Sequence, residues 1–140
     1  MKKVSNIGKS IRAKLLTNAM THGVNYQVLL IRYIQERLLY RLSQSDQRHH
    51  FILKGGALLY AVKDLKSRPT LDLDFLGISI HNGRESILQA FREIISIPCP
   101  EDAVIFDPDS MTAKEITIHR GYQGLRIQLQ AHLDTIKQLI

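Results

Sequence analysis

The sequence predicts an α+β protein, because two hydrophobic periods divide it. In the first third, Leu30, Ile34, Leu38 and Leu42 recur every four residues, the apolar stripe of an amphipathic helix. Near the end, Gly124 to His132 alternates strictly. Leu125, Ile127, Leu129 and Ala131 fall on one side, and Arg126, Gln128, Gln130 and His132 on the other. Helices first and a mostly antiparallel sheet later is the α+β pattern. With 140 residues and a hydrophobic fraction of 44%, the chain has enough apolar surface for one domain spanning residues 1–140.

The N-terminal helices occupy about residues 10–42. Ser10 to Met20 reads as a short amphipathic helix that ends near Gly23, and Asn25 as the N-cap of a longer helix running to about Leu42. Arg37 and Arg41 lie one turn apart, with Arg32 elsewhere on the helix. They read as a solvated face paired with Glu36. Tyr26, Tyr33 and Tyr40, seven apart, suit a core or an interface. SQSDQRHH is a loop, with His49-His50 a polar approach to the next strand. Phe51 to Leu53 is a short buried strand, Gly56 to Lys63 a helix, Lys66 to Pro69 a turn and Thr70 to Phe75 a strand. Asn82 to Ile95 fits a helix with Ile87, Leu88, Phe91, Ile94 and Ile95 inward. Residues 103–140 are strands: Ala103 to Phe106, a turn at Asp107-Pro108-Asp109-Ser110, Ile116 to His119, and Gly124 to His132. Leu133-Asp134-Thr135 then turns the chain into a return strand, Thr135 to Ile140, pairing antiparallel with the one before.

The net charge of +6, from 19 basic against 13 acidic residues, favours polyanionic partners or is a merely soluble basic surface. The single cysteine, Cys99, permits no internal disulfide and fits a reducing cytoplasm. Set between Pro98 and Pro100, it reads as a loop thiol rather than a nucleophile. No apolar run is long enough to span a bilayer, and the basic start lacks a signal peptide's apolar region. The six histidines show no metal-ligand spacing.

The chemistry concentrates in residues 51–77, FILKGGALLYAVKDLKSRPTLDLDFLG. On a strand, Asp72 and Asp74 share one face while Leu71, Leu73 and Phe75 take the other. Two carboxylates side by side repel unless a cation lies between them, and Mg²⁺ prefers such all-oxygen ligands. Gly55-Gly56 lets backbone approach a ligand, and a helix starting there offers its free N–H groups to a phosphate. Two solvated carboxylates and tight helix–strand packing are the plainer readings of the same residues. An anion cradle joined to paired carboxylates is what an enzyme acting on nucleoside triphosphates needs.

Three segments resemble the nucleotidyltransferase superfamily, and specifically the abortive-infection AbiEii/AbiGii toxin family. LKGGALLY (53–60) resembles its Gly-Gly motif at a strand-to-helix junction. RPTLDLDFLG (68–77) resembles its Arg-x-Thr/Ser-x-Asp-hydrophobic-Asp strand. YQGLRIQLQAHLDTIKQLI (122–140) is similar to the strand pair leading toward its third acidic position. The resemblance implies a mixed, mostly antiparallel sheet flanked by helices, cytoplasmic location, and a role in phage defence beside a cognate antitoxin. It also implies metal-dependent transfer, in which an acceptor oxygen, on RNA or another molecule, attacks the α-phosphorus of a nucleoside triphosphate and pyrophosphate leaves. Asp72 and Asp74 then take Mg²⁺ or Mn²⁺, Gly55 and Gly56 cradle the triphosphate, and Arg68 pairs with a phosphate. Lys54 does the same or points to solvent or a structural carboxylate. Thr70, on the face of Asp72, assists a phosphate or metal-bound water.

The superfamily completes its metal site with a third carboxylate, which the resemblance places just after a segment like TIKQLI. The sequence stops at Ile140, so the expectation is a truncated form with weak or no transfer that self-associates through its last strand. Asp134 reads as a hairpin turn and only secondarily as a substitute ligand, and Asp107 and Asp109 as turn residues. The alternatives are a non-catalytic module binding nucleotide, RNA or antitoxin, and a DNA-binding regulator using the two N-terminal helices. The second suffers from a presumed recognition helix rich in Leu and Ile.

Overall fold

The computed structural model describes residues 6–54, 74–77, 83–118 and 122–140. The element order is α1 (Ile7–His22), α2 (Tyr26–Gln44), a 3₁₀ turn (Asp46–His49), β1 (Phe51–Lys54), β2 (Asp74–Gly77), α3 (Arg84–Ile95), a second 3₁₀ turn (Pro100–Asp102), β3 (Val104–Ile118), β4 (Tyr122–Leu133) and β5 (Ile136–Leu139). This is an α+β fold. β1 and β2 pair antiparallel, and β3-β4-β5 form an antiparallel sheet in that order.

Both N-terminal helices have side-chain caps. Asn6 accepts from the Lys9 N–H at 2.9 Å, and Asn25 from the Gln27 N–H at 2.8 Å. Such a cap stabilises a helix by about 1 kcal/mol. Gly23 ends α1 at φ 63°, the left-handed conformation that a side chain disfavours. On α2, Leu30, Ile34, Leu38 and Leu42 are all buried, as their spacing predicts. Ser45 then accepts from the Gln47 N–H and winds Asp46–His49 into a 3₁₀ turn where the sequence suggests a loop.

One apolar cluster joins α2, β1, α3 and the inner face of β3–β4 through Leu30, Ile34, Leu38, Phe51, Ile94, Phe106, Leu129 and Leu133. Phe51 of β1, Phe75 of β2 and Phe91 of α3 meet edge to face with ring centroids 5.3–6.3 Å apart. β1 is not buried on both sides, since Phe51 faces the core while Ile52 is 50% exposed. Ala90 joins the predicted inner residues of α3.

The predicted break at Asp107–Ser110 is not a turn between two strands. β3 runs through it, and five steps along β3, from Asp107 to Thr112, match two along β4, from Gln130 to Gln128. Local polar groups carry this bulge. Asp107 Oδ1 accepts the Asp109 N–H at 2.9 Å, and Ser110 Oγ accepts the Gln130 N–H at 2.8 Å. Pro108 has no N–H to lend the ladder, so the extra residues collect around it. The final hairpin forms as expected. Asp134, at φ 55°, turns β4 into β5, and Leu133 faces Ile136. No helix among the described residues is long and apolar enough to cross a membrane.

Candidate functional site

β1 and β2 form an antiparallel ribbon whose register faces Phe51 with Gly77 at one end and Lys54 with Asp74 at the other. The Lys54 end leads directly into Gly55-Gly56 in the sequence, and the Asp74 end receives Asp72. The ribbon is held by its apolar residues: Phe51 is buried, and both Phe51 and Phe75 pack on Phe91. One end of this anchored ribbon thus brings the backbone of Lys54 opposite that of Asp74. Gly55, Gly56, Arg68, Thr70 and Asp72 lie outside the described residues.

Several acids elsewhere among the described residues have structural partners. Asp134 accepts from Arg12 Nη1 at 2.7 Å and from Asn6 Nδ2 at 3.1 Å, fastening the β4–β5 turn to the start of α1. Arg12 first, then Asn6, hold this carboxyl below its ordinary range. Gly8 of α1 lies close enough that a Cβ there would meet the Asp134 nitrogen at 3.1 Å. Asp134 is therefore a latch between a helix and a hairpin. Asp107 turns back on its own bulge. No group of three metal-ligating side chains forms among the described residues.

Sequence reasoning missed the most elaborate polar cluster. Arg41 is not on a solvated face. It is 3% exposed, and its two terminal nitrogens bind both oxygens of buried Asp102, at 2.8 and 3.2 Å. Arg37 Nε donates to the same carboxylate at 2.8 Å, and the Val104 N–H at 2.8 Å. Tyr33 donates to the Asp102 carbonyl at 2.8 Å. Burial pushes the Asp102 carboxyl up, but Arg41, the Val104 N–H and Arg37 outweigh it and hold it low. Burial, and then the Asp102 charge, push the Tyr33 phenol up to about 12. Only Arg32 pairs with Glu36 as predicted. Arg37 and Arg41, one turn apart, were the visible signal. Their partner lies more than sixty residues on, at the start of β3.

Cys99 belongs to this cluster. It is 5% exposed, receives Arg37 Nη2 at 2.9 Å and faces Glu101 at 3.1 Å. Burial first, and then the Glu101 contact, push its thiol up, which suppresses the thiolate a nucleophile needs. The α2 face bearing Leu30, Ile34 and Leu38 is core, which removes it as a DNA-reading surface.

Residues 37–140 match the family model of the nucleotidyl transferase AbiEii toxin, type IV toxin–antitoxin system. The match begins inside α2 and takes in the β1–β2 ribbon and everything after it. Searches of curated proteins and of solved structures returned no match. With most of its length matched by that model, the chain belongs to the AbiEii family of nucleotidyl transferase toxins.

Proposed function

We propose that the ribbon end at Lys54 and Asp74 is the nucleotide site of a metal-dependent nucleotidyltransferase. The observation that supports it is the β1–β2 register, which sets the residue before Gly55-Gly56 opposite Asp74. Phe75 packs on Phe51 and Phe91, and by the two-residue period of a strand Asp72 and Asp74 share the phase opposite to it in the sequence. Two carboxylates there are the hard oxygen donors that Mg²⁺ or Mn²⁺ takes. The metal, when bound, draws charge from the triphosphate oxygens and lowers the acceptor hydroxyl's pKa. Gly55 and Gly56 hold the triphosphate against backbone N–H groups, Lys54 and Arg68 neutralise its outer charges, and Thr70 donates to a phosphate oxygen. An acceptor oxygen displaces pyrophosphate from the α-phosphorus. RNA suits the basic composition as acceptor, and a cognate antitoxin and a role in phage defence are the setting we propose, in keeping with a type IV toxin–antitoxin family. Calorimetric titration with a nucleoside triphosphate and Mg²⁺ tests the site. Binding should require the metal and vanish in the double variant Asp72→Asn, Asp74→Asn, and equal binding by both proteins would reject the assignment.

We also infer self-association through β5. The Ile140 backbone bonds Leu129, so by alternation Lys137 and Leu139 turn their backbone groups away from β4, on a strand at the sheet edge among the described residues. Lys137 weakens such pairing without abolishing it. Sedimentation velocity should show a dimer that grows with concentration and is lost in Leu139→Pro. A monomer at every concentration contradicts this.

A further inference from the structure

The sheet β3-β4-β5 buries one face and leaves the other to solvent. On the open face the register sets Lys114 directly opposite Arg126, and His132 directly opposite Lys137. Like charges facing each other across strands destabilise a sheet, so the Lys114–Arg126 arrangement is unfavourable by itself. It is not relieved from within. Arg12, Arg32, Arg37 and Arg41 each bind a carboxylate, whereas Lys114, Arg126 and Lys137 form no ion pair among the described residues. Glu115, next to Lys114, faces Leu125 and so takes the other face by alternation, and the acids of the bulge begin at Asp107, which lies opposite Gln130 and accepts the Asp109 N–H.

We propose that this open sheet face is a docking surface for the phosphate backbone of a nucleic acid. Arg126, which faces Lys114, and His132, which faces Lys137, are six residues apart along β4, about 20 Å at the rise of a strand, so a single small anion cannot meet the cations at both ends. A chain of phosphates can. Gln128 lies exposed between them with a side chain that both donates and accepts. Protein interfaces gather aromatic and apolar side chains at their centre and exclude lysine. Here the central strand presents Arg126, Gln128, Gln130 and His132, and the outer strands add Lys114 and Lys137 beside the exposed apolar residues Ile105 and Leu139. Nucleic-acid interfaces have this polar, positive character. The surface reads phosphates rather than bases.

The test is fluorescence anisotropy with a labelled single-stranded RNA of about 12 nucleotides and the matching DNA. It contains no triphosphate or added metal, so it stands or falls apart from the transfer reading. Wild type should bind both within a few-fold of each other, with affinity falling steeply in salt. The triple variant Lys114→Gln, Arg126→Gln, Lys137→Gln should bind about tenfold more weakly or worse. Its log–log salt slope should be smaller by about 2, the loss of three phosphate contacts on a single strand. Because the substitutions remove like-charge repulsion on an exposed face, melting temperature should hold or rise. The double variant Lys9→Gln, Lys14→Gln on α1 should bind within twofold of wild type. Unchanged affinity in the triple variant, or an equal loss in the α1 variant, overturns the proposal. So does displacement of the RNA by polyglutamate at matched charge, which would make the occupant an acidic protein.

Discussion

Asp102→Ala is expected to destabilise the protein by about 3–5 kcal/mol, the cost of leaving a buried cation without its partner. Arg41, 3% exposed, would keep only backbone carbonyls as acceptors, at Arg37 and Val104. The Val104 N–H would lose its acceptor as well, and so would Arg37 Nε, although Arg37 Nη2 keeps Cys99. Urea titration followed by circular dichroism measures the loss, and a cost below about 1 kcal/mol would show that the cluster holds little. Arg37→Ala should cost less, because that side chain is 24% exposed and water can replace it. The pH dependence has a definite sign. The folded Asp102 carboxyl titrates below its unfolded value, so its contribution is intact above about pH 4 and drains away as pH falls through the lowered folded value. In Asp102→Ala this part of the acid sensitivity should disappear. Tyr33 acts at the other extreme. Its contribution is present below about pH 10 and fades as pH rises through about 12.

The second large effect concerns the ribbon. On the proposed assignment of the metal to these carboxylates, Asp74→Asn is expected to lower turnover of a labelled nucleoside triphosphate by about 10²-fold or more, even from a weak wild-type level, and Asp72→Asn by a similar factor, since each would remove an oxygen donor whose charge binds the metal. The same substitutions should leave the melting temperature unchanged or raise it, because they remove repulsion between neighbouring carboxylates. This pairing separates a functional site from a structural one. Structural carboxylates such as Asp102 lose stability when neutralised, whereas carboxylates held together for a metal lose activity. Turnover in Asp74→Asn equal to wild type would sink the assignment.

Much of the fold was legible because its signals are local. Asn25, the stripe from Leu30 to Leu42, the inward side of α3 and the alternation from Leu125 to Ala131 each act within a few residues, and each element forms where its pattern lies. The reversal at Asp134 was legible for the same reason. Three things were not. The bulge carries Asp, Pro, Asp and Ser, the residues of a chain reversal, and only pairing with β4 on both sides of it keeps β3 one strand. Arg37 and Arg41 look solvated because nothing near them in sequence is a partner. Asp102 reaches them only after α3 and the turn at Cys99 have brought the chain back. The latch between Arg12 and Asp134 spans nearly the whole chain. For the site, the motif residues were named from sequence, and the register supplies what no sequence pattern could, the facing of Lys54 and Asp74.

That latch orders events during synthesis. α1 leaves the ribosome before the β4–β5 hairpin, so Asn6 and Arg12 find Asp134 only when that hairpin has emerged, 128 and 122 residues later. At about 5–20 residues per second, the helix waits roughly 6–25 seconds for its partner. Meanwhile Ile11 and Leu15, which pack against the core in the finished molecule, have nothing complete to cover them. α1 is made well before it is secured, and a nascent chain at this stage offers a chaperone a helix with uncovered apolar residues to hold.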